Sequence, residues 1–208
     1  MSKESISKNY TPETAITVGY VNVFEPSTKF DKDGVYQLNA LISAKEGKKI
    51  RKICEETLDS QYEKFRKNSK KMDITACVPY VEVEKDDKGC IIKETPDPEG
   101  RYILKTKNKA YIRDGEIGQR IPVFDSKLKP VKNLKFGAGS KVKLGISIEG
   151  YSSNLGTGVT IKLKAVQILE VQGFNTHKAE DFFTEEEGFE YTEEDVENQA
   201  ENDEEADF

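Results

Sequence analysis

Tryptophan is absent from this 208-residue chain, histidine occurs once and cysteine three times. A lone His177 argues against a His-dependent catalytic triad or a multi-histidine metal site. Cys54, Cys77 and Cys90 cannot all pair with one another and match no C-x-x-C spacing, so unpaired structural thiols are expected. No run approaches the roughly 20 apolar residues that span a bilayer, and residues 1–10 hold no apolar signal-peptide core. The expectations are no membrane association and a cytoplasmic location. Neither a phosphate loop nor a nucleophile motif accompanies the many carboxylates. No enzyme, no cofactor and no metal are therefore expected, and the glycine pairs at 137/139 and 156/158 read as turns.

One absence organises the chain. Residues 180–208 contain no Lys or Arg but 15 Asp and Glu. Residues 1–179 hold all 32 basic residues against the other 23 acidic ones, a formal charge of +9 facing −15 in the tail. The body, 1–179, has alternating apolar runs and the size of one ordinary domain. The tail, 180–208, lacks the apolar residues needed to fold and is expected to be disordered. It ends in Asp203, Glu204, Glu205, Ala206, Asp207 and Phe208, which place a ring and the α-carboxylate at the tip of an acidic segment. Such a tip suits a basic-rimmed apolar pocket on a partner, with the acids steering the approach.

Five strands are predicted in the body. Residues 15–24 form the first, with Gly19 as a bulge or bend, and Glu25-Pro26-Ser27 ends it. Residues 35–42 form the second, with Tyr36, Leu38, Ala40 and Ile42 on one face. Ser43 and Glu46 have capping-box spacing, each expected to bond the other's backbone amide. They open a helix whose stripe is Ile50, Ile53, Cys54, Leu58, Tyr62 and Phe65, stopping at Asn68-Ser69. Residues 73–83, interrupted by Pro79, suit an edge strand or extended connection, and 86–100 a surface excursion.

Residues 101–113 carry the chemistry. A strand places alternate side chains on opposite faces, so Arg101, Lys105, Lys107, Lys109, Tyr111 and Arg113 share one face. The opposite face, which includes Leu104, Thr106, Asn108 and Ala110, can line a core. Residues 128–136 add loop lysines. In residues 141–151, Val142, Leu144, Ile146 and Ile148 point inward while Lys141, Lys143 and Tyr151 point outward. After a Gly-rich hairpin turn, residues 159–171 set Ile161 and Leu163 against Lys162 and Lys164, and Val166, Ile168 and Val171 break the alternation, as a bulge or two-sided burial would.

These elements suggest a mostly β fold: a single OB-fold-like five-stranded barrel, partly open, with one inserted amphipathic helix, although a β-sandwich could be built from the same strands. An OB-fold binding single strands needs cations along the phosphates and flat rings under the bases. Arg101, Lys105, Lys107, Lys109, Tyr111, Arg113, Lys141, Lys143, Tyr151, Lys162 and Lys164 supply both. The alternative is a protein-interaction module whose acidic tail mimics nucleic acid, without DNA binding of its own.

The run Val18-Gly19-Tyr20-Val21-Asn22-Val23-Phe24, the helix after the second strand, Phe136-Gly137-Ala138-Gly139-Ser140, Gly158 to Leu163 through Val166-Gln167, and the Phe-ended acidic tail resemble the bacteriophage single-stranded DNA-binding proteins. The resemblance implies an OB-fold that coats single-stranded DNA during phage replication and recombination in the cytoplasm of a bacterial host. It further implies a tail, through Asp203, Glu204, Glu205, Asp207 and Phe208, that recruits replication proteins such as a DNA polymerase or helicase. A homodimer is a form often taken in such a family.

Overall fold

Alternation of apolar and polar side chains at period two, the pattern of a strand with one buried face, governs most of the chain. In the computed structural model, residues 7–172 are described, apart from 30, 66–69, 89 and 114. The chain order is β1 (Ser7–Tyr10), β2 (Ala15–Ser27), β3 (Val35–Ile42), α1 (Ala44–Lys64), β4 (Cys77–Pro79), β5 (Val81–Lys85) and β6 (Ile91–Pro96). There follow β7 (Tyr102–Lys109), β8 (Ile112–Arg113), β9 (Glu116–Ile117), β10 (Val123–Phe124), β11 (Lys141–Ser153) and β12 (Gly156–Glu170). The architecture is mostly β, with one helix among the described residues, and that helix is not apolar enough to cross a membrane.

The five predicted strands are the five long strands of the main sheet: β2, β3, β7, β11 and β12. Neighbours run β10-β12-β11-β2-β3-β7-β4, and β1 pairs with β11. Within 73–83, expected as an edge strand or extended connection, the three-residue β4 is an edge strand of this sheet beside β7; the strands not expected, β1 and β10, have four and two residues. Such segments are too short for a periodic signal. Residues 25–27 do not end β2 as expected; β2 continues through Ser27 and its register with β3 jumps between Asn22 and Ser27. The register also jumps between Val18 and Val21, where Gly19 has φ +67°, so the predicted bulge is present.

The inward faces are as the alternation predicts. Tyr36, Leu38, Ala40, Ile42, Leu104, Val142, Leu144, Ile146, Ile148, Ile161 and Leu163 are all buried in one core. In β12 a register shift opposite Gly145 and Ile146 moves the buried phase from Ile161 and Leu163 to Val166 and Ile168. β7 and β12 are not paired as a ladder, and the buried Asn108 of β7 bonds across from one to the other, donating from Nδ2 to the carbonyl of Leu163 in β12 at 3.1 Å. A neutral amide does this where an apolar side chain could only pack.

Helix α1 begins at Ser43, whose Oγ accepts from the Glu46 amide at 3.3 Å. The second half of the expected capping box is replaced. The buried Glu46 carboxylate instead accepts from the Tyr10 hydroxyl at 2.7 Å and from Lys49 at 3.0 Å, tying β1 to the helix. The hydrogen bond from Tyr10, then that from Lys49, holds the Glu46 carboxyl below its ordinary value. Asn68 and Ser69, the expected stop, lie outside the described residues; the helix ends at Lys64.

The excursion at 86–100 holds β6, which is exposed along its length and pairs with the preceding β5 as a two-stranded ribbon. At its base the buried Asp97 accepts from the Arg101 guanidinium at 2.7 Å, and that bond holds the Asp97 carboxyl below its ordinary value. Cys54 and Cys77 are buried free thiols, each pushed by burial up to about 12, whereas Cys90 is exposed. An alkylating reagent at pH 8 should therefore label one thiol in the native protein and three after denaturation. More than one labelled native thiol would show that the core around α1 opens.

Candidate nucleic-acid interface

Residues that alternate away from the core on β3 and β7 meet the β11–β12 hairpin in a groove of about 700 Å³. Gln37 and Asn39 of β3 stand opposite Lys107 and Lys105 of β7, so each amide side chain is a cross-strand neighbour of a lysine on one face. Tyr151 of β11 and Lys162 of β12 line the groove from the hairpin, and Gln61 does so from α1.

Tyr151 is held by a missing side chain. A Cβ on Gly158, its cross-strand partner, would come within 2.5 Å of the Tyr151 hydroxyl and 2.9 Å of a ring carbon. The ring therefore lies across bare backbone, an arrangement that only glycine permits here. Its hydroxyl donates to Met72 Sδ at 3.7 Å, and the residue remains 38% exposed.

The eleven sequence-predicted binding residues separate into groups. Lys105, Lys107, Tyr151 and Lys162 come together in the groove. Lys105 and Lys107 are exposed and form no ion pair among the described residues. Lys162 pairs with Glu149 at 2.7 Å, and Lys164 approaches the same carboxylate at 3.7 Å. Glu149, also bonded by Ser147, thus places an anion beside the predicted cations.

The remaining predicted residues do not line the groove. Arg101 precedes β7 and is committed to Asp97, while Lys109 is held by Asp33 at 3.0 Å and Asp31 at 3.2 Å. The strand predicted to reach residue 113 stops at Lys109; Tyr111 has φ +55° and Arg113 enters the small β8–β9 hairpin opposite Glu116. The left-handed turn removes both from the face they were expected to share. Lys141 pairs with Glu170, and Lys143 lies eight residues before Tyr151, about 26 Å along an extended strand at about 3.3 Å per residue. Asp203, Glu204, Glu205, Asp207 and Phe208, with the boundary at 179, lie outside the described residues.

Sequence reasoning missed Gln37, Asn39 and Gln61. The two β3 residues were implicit as the positions alternating with the recognised core face. Gln61 continues the buried helical series Ile50, Cys54, Thr57 and Leu58, but its polar identity disguised it.

No protein-family model matches the chain, and no curated protein does. Among solved structures, the chain is similar to gp2.5, a single-stranded DNA-binding protein encoded by bacteriophage T7, with TM-score 0.59 and 22% identity over 90% of this chain and 100% of that one. It is also similar to the single-stranded DNA-binding protein of bacteriophage Enc34, with TM-score 0.53 and 13% identity over 83% and 88% of the two chains. The Enc34 protein in complex with single-stranded DNA aligns with TM-score 0.52 and 13% identity over 79% and 87%. With one helix among the described residues, set between the second and third long strands of the main sheet, the chain has the OB-type fold of these phage single-stranded DNA-binding proteins.

Proposed function

We propose that this chain binds single-stranded DNA along the groove between β3–β7 and β11–β12, with little sequence preference, as a non-enzymatic protein of phage replication and recombination. The observation that carries this reading is the meeting of two lysines without an ion pair among the described residues, Lys105 and Lys107, with the exposed Tyr151 ring in one groove. Lysines that neutralise phosphates release condensed counterions, which drives binding and makes it depend on salt. A base stacked on an aromatic ring contributes about 1–3 kcal/mol and scarcely distinguishes one base from another. The structural relatives support the reading, since one of them is described in complex with single-stranded DNA.

In the same proposal the acidic tail competes with DNA for the cationic groove. Its 15 carboxylates are tethered to the body, and a tethered competitor acts at roughly millimolar effective concentration. DNA displaces the tail, and the tip from Asp203 to Phe208 then recruits a replication protein such as a polymerase or helicase.

Single-strand and duplex affinity, measured over a salt series for the full chain and for residues 1–179, tests both parts. Single strands should bind more tightly than duplex, with affinity falling steeply as salt rises, and removal of the tail should tighten binding. A missing or salt-independent shift would favour the protein-interaction alternative. Equal affinity with and without the tail at moderate salt would remove the competition.

A further inference from the structure

Lys107, Gln37 and Asn22 are successive cross-strand partners on β7, β3 and β2, so their side chains share one face of the sheet. Lys107 and Gln37 line the groove already described, whereas Asn22 lines a second one, of about 410 Å³, between β2 and residues 133–136. A third, of about 460 Å³, lies beside residues 120–124 and 130–132. Phe24, two residues beyond Asn22 on the same strand, lines both and joins them into one trough.

The trough has apolar walls and a cationic rim. Val21, Phe24, Phe124, Val131 and Leu134 are half-buried along it, and Phe24 meets the buried Phe136 edge-on with ring centroids 6.3 Å apart. Its walls are pinned by backbone: the Val131 amide donates to the Val123 carbonyl at 2.8 Å, and the Gly137 amide to the Gln172 carbonyl at 3.0 Å. Arg120, Lys132 and Lys135 are exposed and form no ion pair among the described residues, and Glu25 is the only carboxylate lining the trough. Three free cations against one carboxylate select an anionic occupant. Continuity with the lysine-lined groove across Gln37 and Asn22 selects the same polyanion that the groove would hold.

We propose that a bound single strand leaves the Tyr151 groove over Gln37 and Asn22 and continues into this trough. There Arg120, Lys132 and Lys135 neutralise phosphates, and a base lies on the Phe24 ring. Two strand spacings of about 4.8 Å separate β7 from β2, so the crossing takes about three nucleotides at the stacked spacing of about 3.4 Å. This extension rests on the single-strand-binding reading and adds to it a second stretch of path on the body.

The test uses oligo-dT of 8 and 16 nucleotides on the full chain near 0.1 M salt, lengths within the range of about 4–16 occupied per OB-fold. The 16-mer should bind the unmodified chain more tightly than the 8-mer, which the first groove accommodates. In the Lys132→Ala/Lys135→Ala double variant, affinity for the 16-mer should fall roughly 25-fold, the effect of two phosphates at about 0.7 each in salt slope, while affinity for the 8-mer stays close to that of the unmodified chain. Phe24→Leu keeps an apolar floor but removes the ring, and should weaken the 16-mer about fivefold, the low end of base stacking. If that variant does not fold, acylation supplies a further readout: the 16-mer, and not the 8-mer, should shield the Lys132 and Lys135 amines. A 16-mer affinity unchanged in the double variant, or equal losses for the two lengths, overturns the extension. So does a double variant that keeps the 16-mer but loses a peptide of residues 199–208, which would assign the trough to an acidic segment. Failure of the unmodified chain to bind either oligonucleotide overturns the single-strand reading instead.

Discussion

Alanine at both Lys105 and Lys107 is expected to lower single-strand affinity roughly 25-fold near 0.1 M salt and to reduce the slope of log affinity against log salt by about 1.4. Each single-strand phosphate neutralised contributes about 0.7 to that slope, and these two lysines have no carboxylate holding them among the described residues. They sit two residues apart on one face of β7, where the strand repeat keeps both over the groove. Lys109 is the internal comparison. It continues the same face, yet Asp31 and Asp33 already neutralise it, so Lys109→Ala should change the slope by far less. Anisotropy titrations with a mixed-sequence oligonucleotide between 50 and 300 mM salt measure all three proteins. Exposed substitutions of this kind ordinarily change stability by no more than about 0.5 kcal/mol, so a changed Tm would point away from a local effect. An unchanged slope in the double variant would move the DNA path off this groove.

Gly47→Ala should destabilise the protein by about 3 kcal/mol, although helix propensity alone favours alanine over glycine by about 1 kcal/mol. The sign reverses because Gly47 is the contact point between α1 and β7. A Cβ there would lie 2.3 Å from Tyr102 Cγ and 2.6 Å from Tyr102 Cβ, at the root of the ring where no rotamer change gives relief. The helix must move outward, and Cys77, whose Sγ donates to the Gly47 carbonyl at 3.6 Å, must move with it. For a domain of this size the loss corresponds to roughly 10 °C in Tm. Thermal unfolding of Gly47→Ala, Tyr102→Ala and the double variant checks the cause, since contacting residues show non-additive effects. The double variant should be more stable than the sum of the two single losses. Additive losses would mean that the Tyr102 contact is not what Gly47 accommodates.

How much of this was legible in the sequence can be read from particular elements. Val35–Ile42 was delimited to the residue, because Tyr36, Leu38, Ala40 and Ile42 alternate with polar residues and a turn precedes them. The bulge at Gly19 and the phase change near Ala165 were legible from a glycine and a broken alternation. Residues 111 and 113 were misplaced because alternation continues on paper through a left-handed residue that ends the strand. Arg101, Lys109 and Lys141 looked equivalent to Lys105 and Lys107, since the carboxylates that hold Lys109 and Lys141 come from Asp31, Asp33 and Glu170, far away in sequence.

The sequence by itself determined which side chains face the core, where the helix begins and how charge divides between body and tail. Those properties depend on local periodicity, capping chemistry and composition, which are carried by neighbours in the chain. Only the tertiary structure decided which cations lack a carboxylate partner among the described residues, that Tyr151 lies over Gly158, and that Asn39 and Gln61 line one groove. Those properties depend on long-range partners, and an ion pair or a close approach between distant residues leaves no periodic trace in the residues that make it.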